Sequence, residues 1–283
     1  MNITGSTRVF MIVGDPVAQV RAPEVYNRLF SRHGVDAVLV PMKVTPARLA
    51  GFVRNAFEAQ NLGGMWVTIP HKAAMQGLMD RCDPLATLAG AVNAVRRADD
   101  GAIEGALYDG VGFVKGLDHF GLPVAGRRVL MLGAGGGGQA VAAALAQRGP
   151  ALLAVANRSR QRAVDLVARL APTFGPMLAV ADSPDPAGYD LIVNCTSQGL
   201  KPDDALPVDV QRIDAGAAVV DIIMSRQPTP LLQACAARGI TAHAGFEMLV
   251  QQIPEYLRFF GLQQLAATLQ DDLAEVRAIL QPR

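Results

Sequence analysis

The stretch Gly133-Ala134-Gly135-Gly136-Gly137-Gly138 constrains this chain more than any other. Ahead of it runs Arg127-Arg128-Val129-Leu130-Met131-Leu132, an apolar segment of strand length, and behind it Gln139 to Arg148, rich in alanine, reads as a helix. Strand, glycine turn and helix in this order, with glycine at 133, 135 and 138, satisfy G-x-G-x-x-G in the context that gives the pattern weight. Gly133 makes the tight turn, Gly135 lets the backbone approach a pyrophosphate, and Gly138 lets the helix pack close to the strand. The free N–H groups and dipole of the helix start favour the anion. The alternative is a turn in which the glycines supply only flexibility.

A chain of 283 residues has room for two ordinary domains and buries substantial cores without disulfides or metals. Charged residues are 18% of the total and the net charge is +1, so there is no electrostatic case for nucleic acid or an anionic membrane. Cys82, Cys195 and Cys235 are odd in number and far apart, which suits a reducing compartment and argues against a disulfide framework or a zinc site. The expected setting is the cytoplasm, since the first residues lack a secretory signal and no apolar run reaches membrane-spanning length. A monomer or homodimer is expected.

In the amino-terminal half, Val9 to Val13 reads as a buried strand closed by Gly14-Asp15-Pro16, with the loop continuing to Pro23. Val25, Tyr26, Leu29 and Phe30 share one face of a helix over 24–33. A strand over 37–42, a helix from Thr45-Pro46 to about Phe57, and a strand over 65–69 follow. Pro70 then opens a helix carrying His71 and Lys72. Lys72 thus stands at a strand-to-helix mouth, where open α/β sheets bind ligands, though a solvated surface lysine is the other reading. Residues 91–95 and 102–105 form a hairpin through Asp99-Asp100-Gly101. Asp109 stands just ahead of a helix, where an N-cap role competes with a functional one. Gly121-Leu122-Pro123 reads as the seam before the glycine-turn domain.

After the glycine turn, the strand 152–156 ends at Asn157-Arg158-Ser159-Arg160-Gln161-Arg162. An NAD site usually places Asp or Glu here to hold the ribose 2′-OH. Arginines stand there instead, which favours a 2′-phosphate and hence NADP, with NAD as the alternative. The expectation rests mainly on Arg158, because Arg162 also reads as a helix-surface charge. Strands over 190–194 and 219–223 follow, and Cys195-Thr196-Ser197 is the polar loop beyond the first of them, on the nicotinamide side. No histidine near Cys195 supports a nucleophile there. Thr229-Pro230 starts a helix, and residues from Gly245 through Leu280 form a terminal helical segment whose apolar face needs the first domain as a partner.

These motifs, in this order, resemble the shikimate/quinate dehydrogenase family over nearly the whole chain. Val67-Thr68-Ile69-Pro70-His71-Lys72 resembles its N-V-T-x-P-x-K segment, Ala89 to Asn93 its A-G-A-V-N, and Tyr108-Asp109-Gly110 the end of its N-T-D-G. Gly133 to Gly138 resembles its glycine loop, Asn157-Arg158-Ser159 its N-R-T, and Asn194 to Ser197 its N-A-T-S. Gly245, Met248 and Gln252 fall in its carboxy-terminal signature. The resemblance implies an α/β fold of two domains with a cleft between them. One is an α/β substrate domain (1–115 plus 245–283), the other a Rossmann dinucleotide-binding domain (116–244). It implies Lys72 and Asp109 as the catalytic pair, and Thr68, Asn93 and Gln252 as substrate ligands. Gly133 to Gly138, Asn157 to Ser159, Arg162, Cys195 to Ser197, Gly245 and Met248 fall on the cofactor side, and no metal is expected.

The departures concern the substrate side. Where family members carry S-x-S-P to grip a carboxylate, this chain has Val20-Arg21-Ala22-Pro23. Either Arg21 replaces the serine pair, or the substrate is a different cyclic hydroxy acid, or Arg21 faces solvent. Trp66 replaces the Asn of N-V-T, Leu107-Tyr108 replaces Asn-Thr, and Val220 stands where a substrate-side tyrosine is common.

Overall fold

The computed structural model describes residues 2–280 except 202, 225, 226 and 271. In chain order the elements are β1 (Arg8–Gly14), α1 (Ala22–Arg32), β2 (Ala37–Lys43), α2 (Leu49–Ala56), β3 (Leu62–Val67), α3 (Lys72–Gln76), β4 (Arg81–Cys82), α4 (Pro84–Ala89), β5 (Ala94–Arg97) and β6 (Ile103–Ala106). Then come α5 (Asp109–His119), β7 (Arg128–Leu132), α6 (Gly136–Gln147), β8 (Leu152–Ala156), α7 (Arg160–Phe174), β9 (Leu178–Val180), β10 (Leu191–Asn194) and β11 (Ala218–Asp221). The chain ends with α8 (Pro230–Ala237), β12 (Thr241–Ala244), α9 (Glu247–Gln251), α10 (Ile253–Phe259), α11 (Gln263–Thr268) and α12 (Ala274–Leu280).

The chain divides into two compact units: residues up to Tyr108 with those from Ile253 onward, and Asp109–Gln252. This corrects the expected boundaries, because residues 109–115 and 245–252 belong to the second unit. The reason is a glycine stripe along α5. A Cβ at Gly110 would overlap the Ala140 carbonyl on α6, and one at Gly112 would overlap the Met248 carbonyl on α9 and meet the Gln252 Cβ at 2.9 Å. Without those side chains, α5 packs directly against both helices.

The first unit holds a mixed sheet of order β2-β1-β3-β5-β6-β4. β1 pairs with β2 and β3 in parallel, and β5 forms the expected antiparallel hairpin with β6. The hydrophobic face of β3 and β1 carries an aromatic cluster of Phe10, Tyr26, Trp66, Tyr256 and Phe260. The Trp66 and Phe260 ring centroids are 4.3 Å apart, and those of Trp66 and Tyr256 5.4 Å. Tyr256 and Phe260 come from the terminal segment, so the first unit is the partner that its apolar face needed. The expected terminal helical segment is broken into four short helices, α9 to α12. α1 begins at Ala22, two residues before the expected start, with Pro23 in its first turn, where a proline costs no hydrogen bond.

The second unit holds an all-parallel sheet of order β12-β11-β10-β7-β8-β9. Chain order reverses between β7 and β10, and the crevice beyond the strand ends at such a reversal is where doubly wound sheets bind ligands. Its core strands are continuous apolar runs, as burial on both faces requires: Val129, Leu130, Val155, Ile192, Val193 and Val219 are fully buried. β12 and β9 were not anticipated: β12 carries no apolar run, and β9 is only three residues long.

Candidate active site

The carboxyl edge of the second sheet gathers the glycine turn, the loop after β8, the loop after β10 and Gly245. Gly133 has φ of 98°, a region L side chains rarely adopt, and a Cβ at Gly138 would overlap the Gly133 carbonyl. Beside Gly135 and Gly136, by contrast, a Cβ would meet nothing within 4 Å, so space for a ligand lies over the start of α6. α6 has no acidic residue in its first turn to compete for its N–H groups. The Asn157 Oδ1 accepts the Ala134 N–H at 3.0 Å, and its Nδ2 donates to the Ser159 carbonyl at 2.9 Å, which binds the glycine turn to the arginine-bearing loop.

Of the arginines in that loop, Arg158 and Arg162 are exposed, whereas Arg160 turns aside to Asp182 at 3.3 Å. A diphosphate at Gly135–Gly137 and a further phosphate at Arg158 fit these residues.

Two buried polar residues that were not anticipated hold the opposite flank of this edge. Asn194 and Asp221 end the neighbouring strands β10 and β11 in register, both without exposure. The Asn194 Nδ2 donates to Asp221 Oδ1 at 3.0 Å, and its Oδ1 accepts both the Thr196 N–H at 3.0 Å and the Thr196 hydroxyl at 2.7 Å. The Thr229 hydroxyl donates to Asp221 Oδ2 at 2.6 Å, and the Ile223 N–H to its Oδ1 at 3.2 Å. The Gly245 N–H donates to the Asp221 carbonyl at 2.7 Å. Asp221 thus anchors three loops of the cofactor side at once, and burial raises its carboxyl above the ordinary value. The only trace of it in the sequence is an Asp or Asn closing an apolar strand, which does not by itself mark an anchor. Cys195 is pushed far up by burial and by the charge of Asp221, so its thiol stays protonated, consistent with a lining role. Thr196 is partly buried and Ser197 exposed, while Met248 is 8% exposed with its N–H on the Gly245 carbonyl at 2.9 Å.

Asp109 heads α5 and is 5% exposed. Gln252 follows α9 against Gly112 and is 7% exposed, with its Oε1 buried and unpartnered among the described residues. Val220 lies inside β11, 1% exposed, so it is a core residue and not a site position.

In the first unit, Thr68, Lys72 and Asn93 meet at the carboxyl end of β3. The Thr68 N–H donates to the Val13 carbonyl at 2.9 Å, the Val67 N–H to the Asn93 carbonyl at 2.8 Å, and the Val92 N–H to the Lys72 carbonyl at 2.9 Å. Lys72 is half-buried at the first position of α3. Its helix is pinned by His71, 1% exposed, whose Nε2 donates to the Val44 carbonyl at 2.7 Å. Asn93 has no exposure, and its Oδ1 accepts the Tyr108 N–H at 2.9 Å, which fixes the amide so that Nδ2 is the free donor. That Nδ2 has no partner among the described residues. A buried donor left unsatisfied costs about 1–3 kcal/mol, so such an atom points to a missing ligand.

Arg21 departs from expectation. Its Nη1 donates to the Leu280 carbonyl and its Nη2 to the Ile279 carbonyl, both at 2.7 Å, while Nε and Nη2 reach Glu24 at 3.3 Å. The guanidinium, though its side chain is 34% exposed, is engaged by these groups rather than free for a carboxylate. It binds the C-terminal carbonyls of α12, where a cation is favoured.

Fold and site define a pyridine-nucleotide-dependent oxidoreductase with a Rossmann unit. Residues 12–95 match the shikimate dehydrogenase substrate binding domain, and residues 117–200 match the shikimate/quinate 5-dehydrogenase model. The chain is 38% identical over 260 residues to the shikimate dehydrogenase (NADP+) of Geobacter metallireducens, covering 89% of this chain and 90% of that one. It superposes on Listeria monocytogenes shikimate 5-dehydrogenase, solved with shikimate and NAD, at a TM-score of 0.88 and 25% identity, covering 99% of this chain and 98% of that one. It superposes on a 5-ketofructose reductase of Gluconobacter at 0.82 and 28% identity, covering 95% and 99%. This chain belongs to the shikimate dehydrogenase family.

Proposed function

We propose that this chain interconverts a ring secondary alcohol and its ketone by reversible hydride transfer with NADP(H), with shikimate and 3-dehydroshikimate as the reference pair. When bound, NADP+ supplies the hydride acceptor. The N–H groups at the start of α6 hold the pyrophosphate and Arg158 the 2′-phosphate. Lys72 receives the proton of the substrate hydroxyl at Nζ, and Asp109 is the second member of the catalytic pair. Asn93 Nδ2 donates to a substrate oxygen, Gln252 Oε1 accepts from a substrate hydroxyl, and Thr68 adds a further contact.

The observation that carries this reading is that the two amide side chains assigned to the substrate, Asn93 and Gln252, each bury one unpartnered polar atom. A structure with NADP+ and shikimate bound tests it. The expected result is both atoms hydrogen-bonded to the substrate, and a substrate that leaves both unpartnered overturns the assignment. A second substrate, a neutral ring or polyol ketone, is favoured by Val20 and Ala22, which carry no hydroxyl, and by the engagement of Arg21. The likeness to a 5-ketofructose reductase supports it as well.

A further inference from the structure

The loop from Asp15 to Arg21 leaves the carboxyl end of β1 beside Thr68, and on the proposed reading it borders the substrate. Its start is tied to the next strand's loop, with the Asp15 N–H on the Ile69 carbonyl at 3.0 Å. Inside it the bonds are local: the Gln19 Nε2 donates to the Pro16 carbonyl at 3.0 Å, and the Val20 N–H to the Val17 carbonyl at 3.2 Å. Its end is tied across the whole chain by the two Arg21 bonds to α12.

α12 runs antiparallel to α1. At the other end of α1, Arg32 meets Glu275 of α12 at 3.0 Å and His33 meets it at 3.4 Å, while Val276 is fully buried. The exposed ion pair contributes little by itself. The Arg21 fork is different, because both of its bonds go to main-chain carbonyls in the last turn of α12, where a cation is favoured.

We propose that Arg21 is a positioning residue: by clasping the last turn of α12 it holds the 15–21 loop in its substrate-binding form. The terminal helix thereby becomes part of the substrate-recognition apparatus. This rests on the proposed dehydrogenase reading only for its kinetic readout. It differs from direct carboxylate binding in what it couples, since the effect of Arg21 depends on α12 being docked.

The test compares Arg21→Ala, Val276→Asp and the double variant in the full chain. Each single change raises the KM for the ring substrate by about tenfold, equivalent to about 1.4 kcal/mol, while kcat and the KM for NADP+ stay within about twofold. The double variant is no worse than either single one, as residues acting through one contact require. A further KM increase from Arg21→Ala in the Val276→Asp background, confined to acids and absent with their amides, overturns the proposal in favour of direct binding. Arg21→Lys, which keeps the charge but cannot fork to two carbonyls, restores the wild-type KM only in part.

Hydrogen exchange supplies an arm independent of turnover and of Val276→Asp folding. Arg21→Ala speeds exchange at residues 17–20 and 277–280 together while β1 stays protected. Unchanged exchange in both segments overturns the clasp. A wild-type chain that oxidises no ring alcohol refutes the dehydrogenase reading instead, and the exchange result still decides the clasp.

Discussion

The carboxyl edges of the two sheets are built on opposite principles. The second unit presents main chain at its edge, a glycine turn at 133–138 and the start of α6, held in place by side chains such as the Asn157 amide, which ties the turn to a loop 23 residues away. The first unit makes its edge from side chains whose settings come from far along the chain. Arg21 bonds the carbonyl of a residue 259 positions on, and the Tyr256 hydroxyl reaches the Asn93 carbonyl across 163 positions. A backbone site needs particular residues at particular local spacings. A side-chain site can exchange its groups while the sheet beneath them stays the same.

The largest expected effect separates chemistry from binding. Lys72→Ala lowers kcat by about 10²–10⁴-fold, the range for loss of a general acid–base group, with NADPH affinity unchanged by fluorescence titration. A near-normal rate removes Lys72 from the reaction and leaves the first unit's edge with no chemical role. Next in size, Arg158→Ala weakens NADPH by roughly tenfold or more, as loss of a charge-assisted hydrogen bond worth about 1.5–3 kcal/mol implies, and spares NADH. Equal losses for the two cofactors would mean that the second unit's edge reads only the diphosphate.

The smallest effect probes the buried anchor of that edge. Thr229→Val removes the hydroxyl that donates to Asp221 and caps α8, where it also accepts the Leu232 N–H. It costs about 1–3 kcal/mol of stability, read as a lower melting temperature. A melting temperature equal to the wild type's would show that Asp221 is satisfied without it.

What the sequence revealed follows the same division. The strand, glycine turn and helix of the second unit were legible because each is local, and the missing acid after β8 pointed to NADP before any geometry was known. Lys72 and Asp109 stood out in the sequence only by their places at helix starts, and the roles proposed for them and for Asn93 and Gln252 came from the resemblance, since nothing about a lysine or an asparagine in isolation marks it as a ligand. The role of Arg21 was hidden, because its partners are backbone carbonyls, which no residue pattern announces. The unit boundary was also hidden. The glycines of α5 were visible at 110, 112 and 116, but the helices they admit, α6 and α9, follow from tertiary packing. Asp221 escaped notice for a related reason. A lone carboxylate at the end of an apolar strand reads as a strand terminus until Asn194, Thr229 and Ile223 are seen converging on it.

The central claim is that a retained cofactor edge serves a working dehydrogenase despite an altered substrate loop. Its most direct test is the initial rate of NADPH formation when the wild-type chain is mixed with NADP+ and shikimate, set beside quinate and neutral ring polyols. The account predicts NADP+-dependent oxidation of a ring hydroxyl that Lys72→Ala abolishes. Tight NADPH binding without oxidation of any of these alcohols would contradict it and leave a nucleotide-binding protein in place of an enzyme.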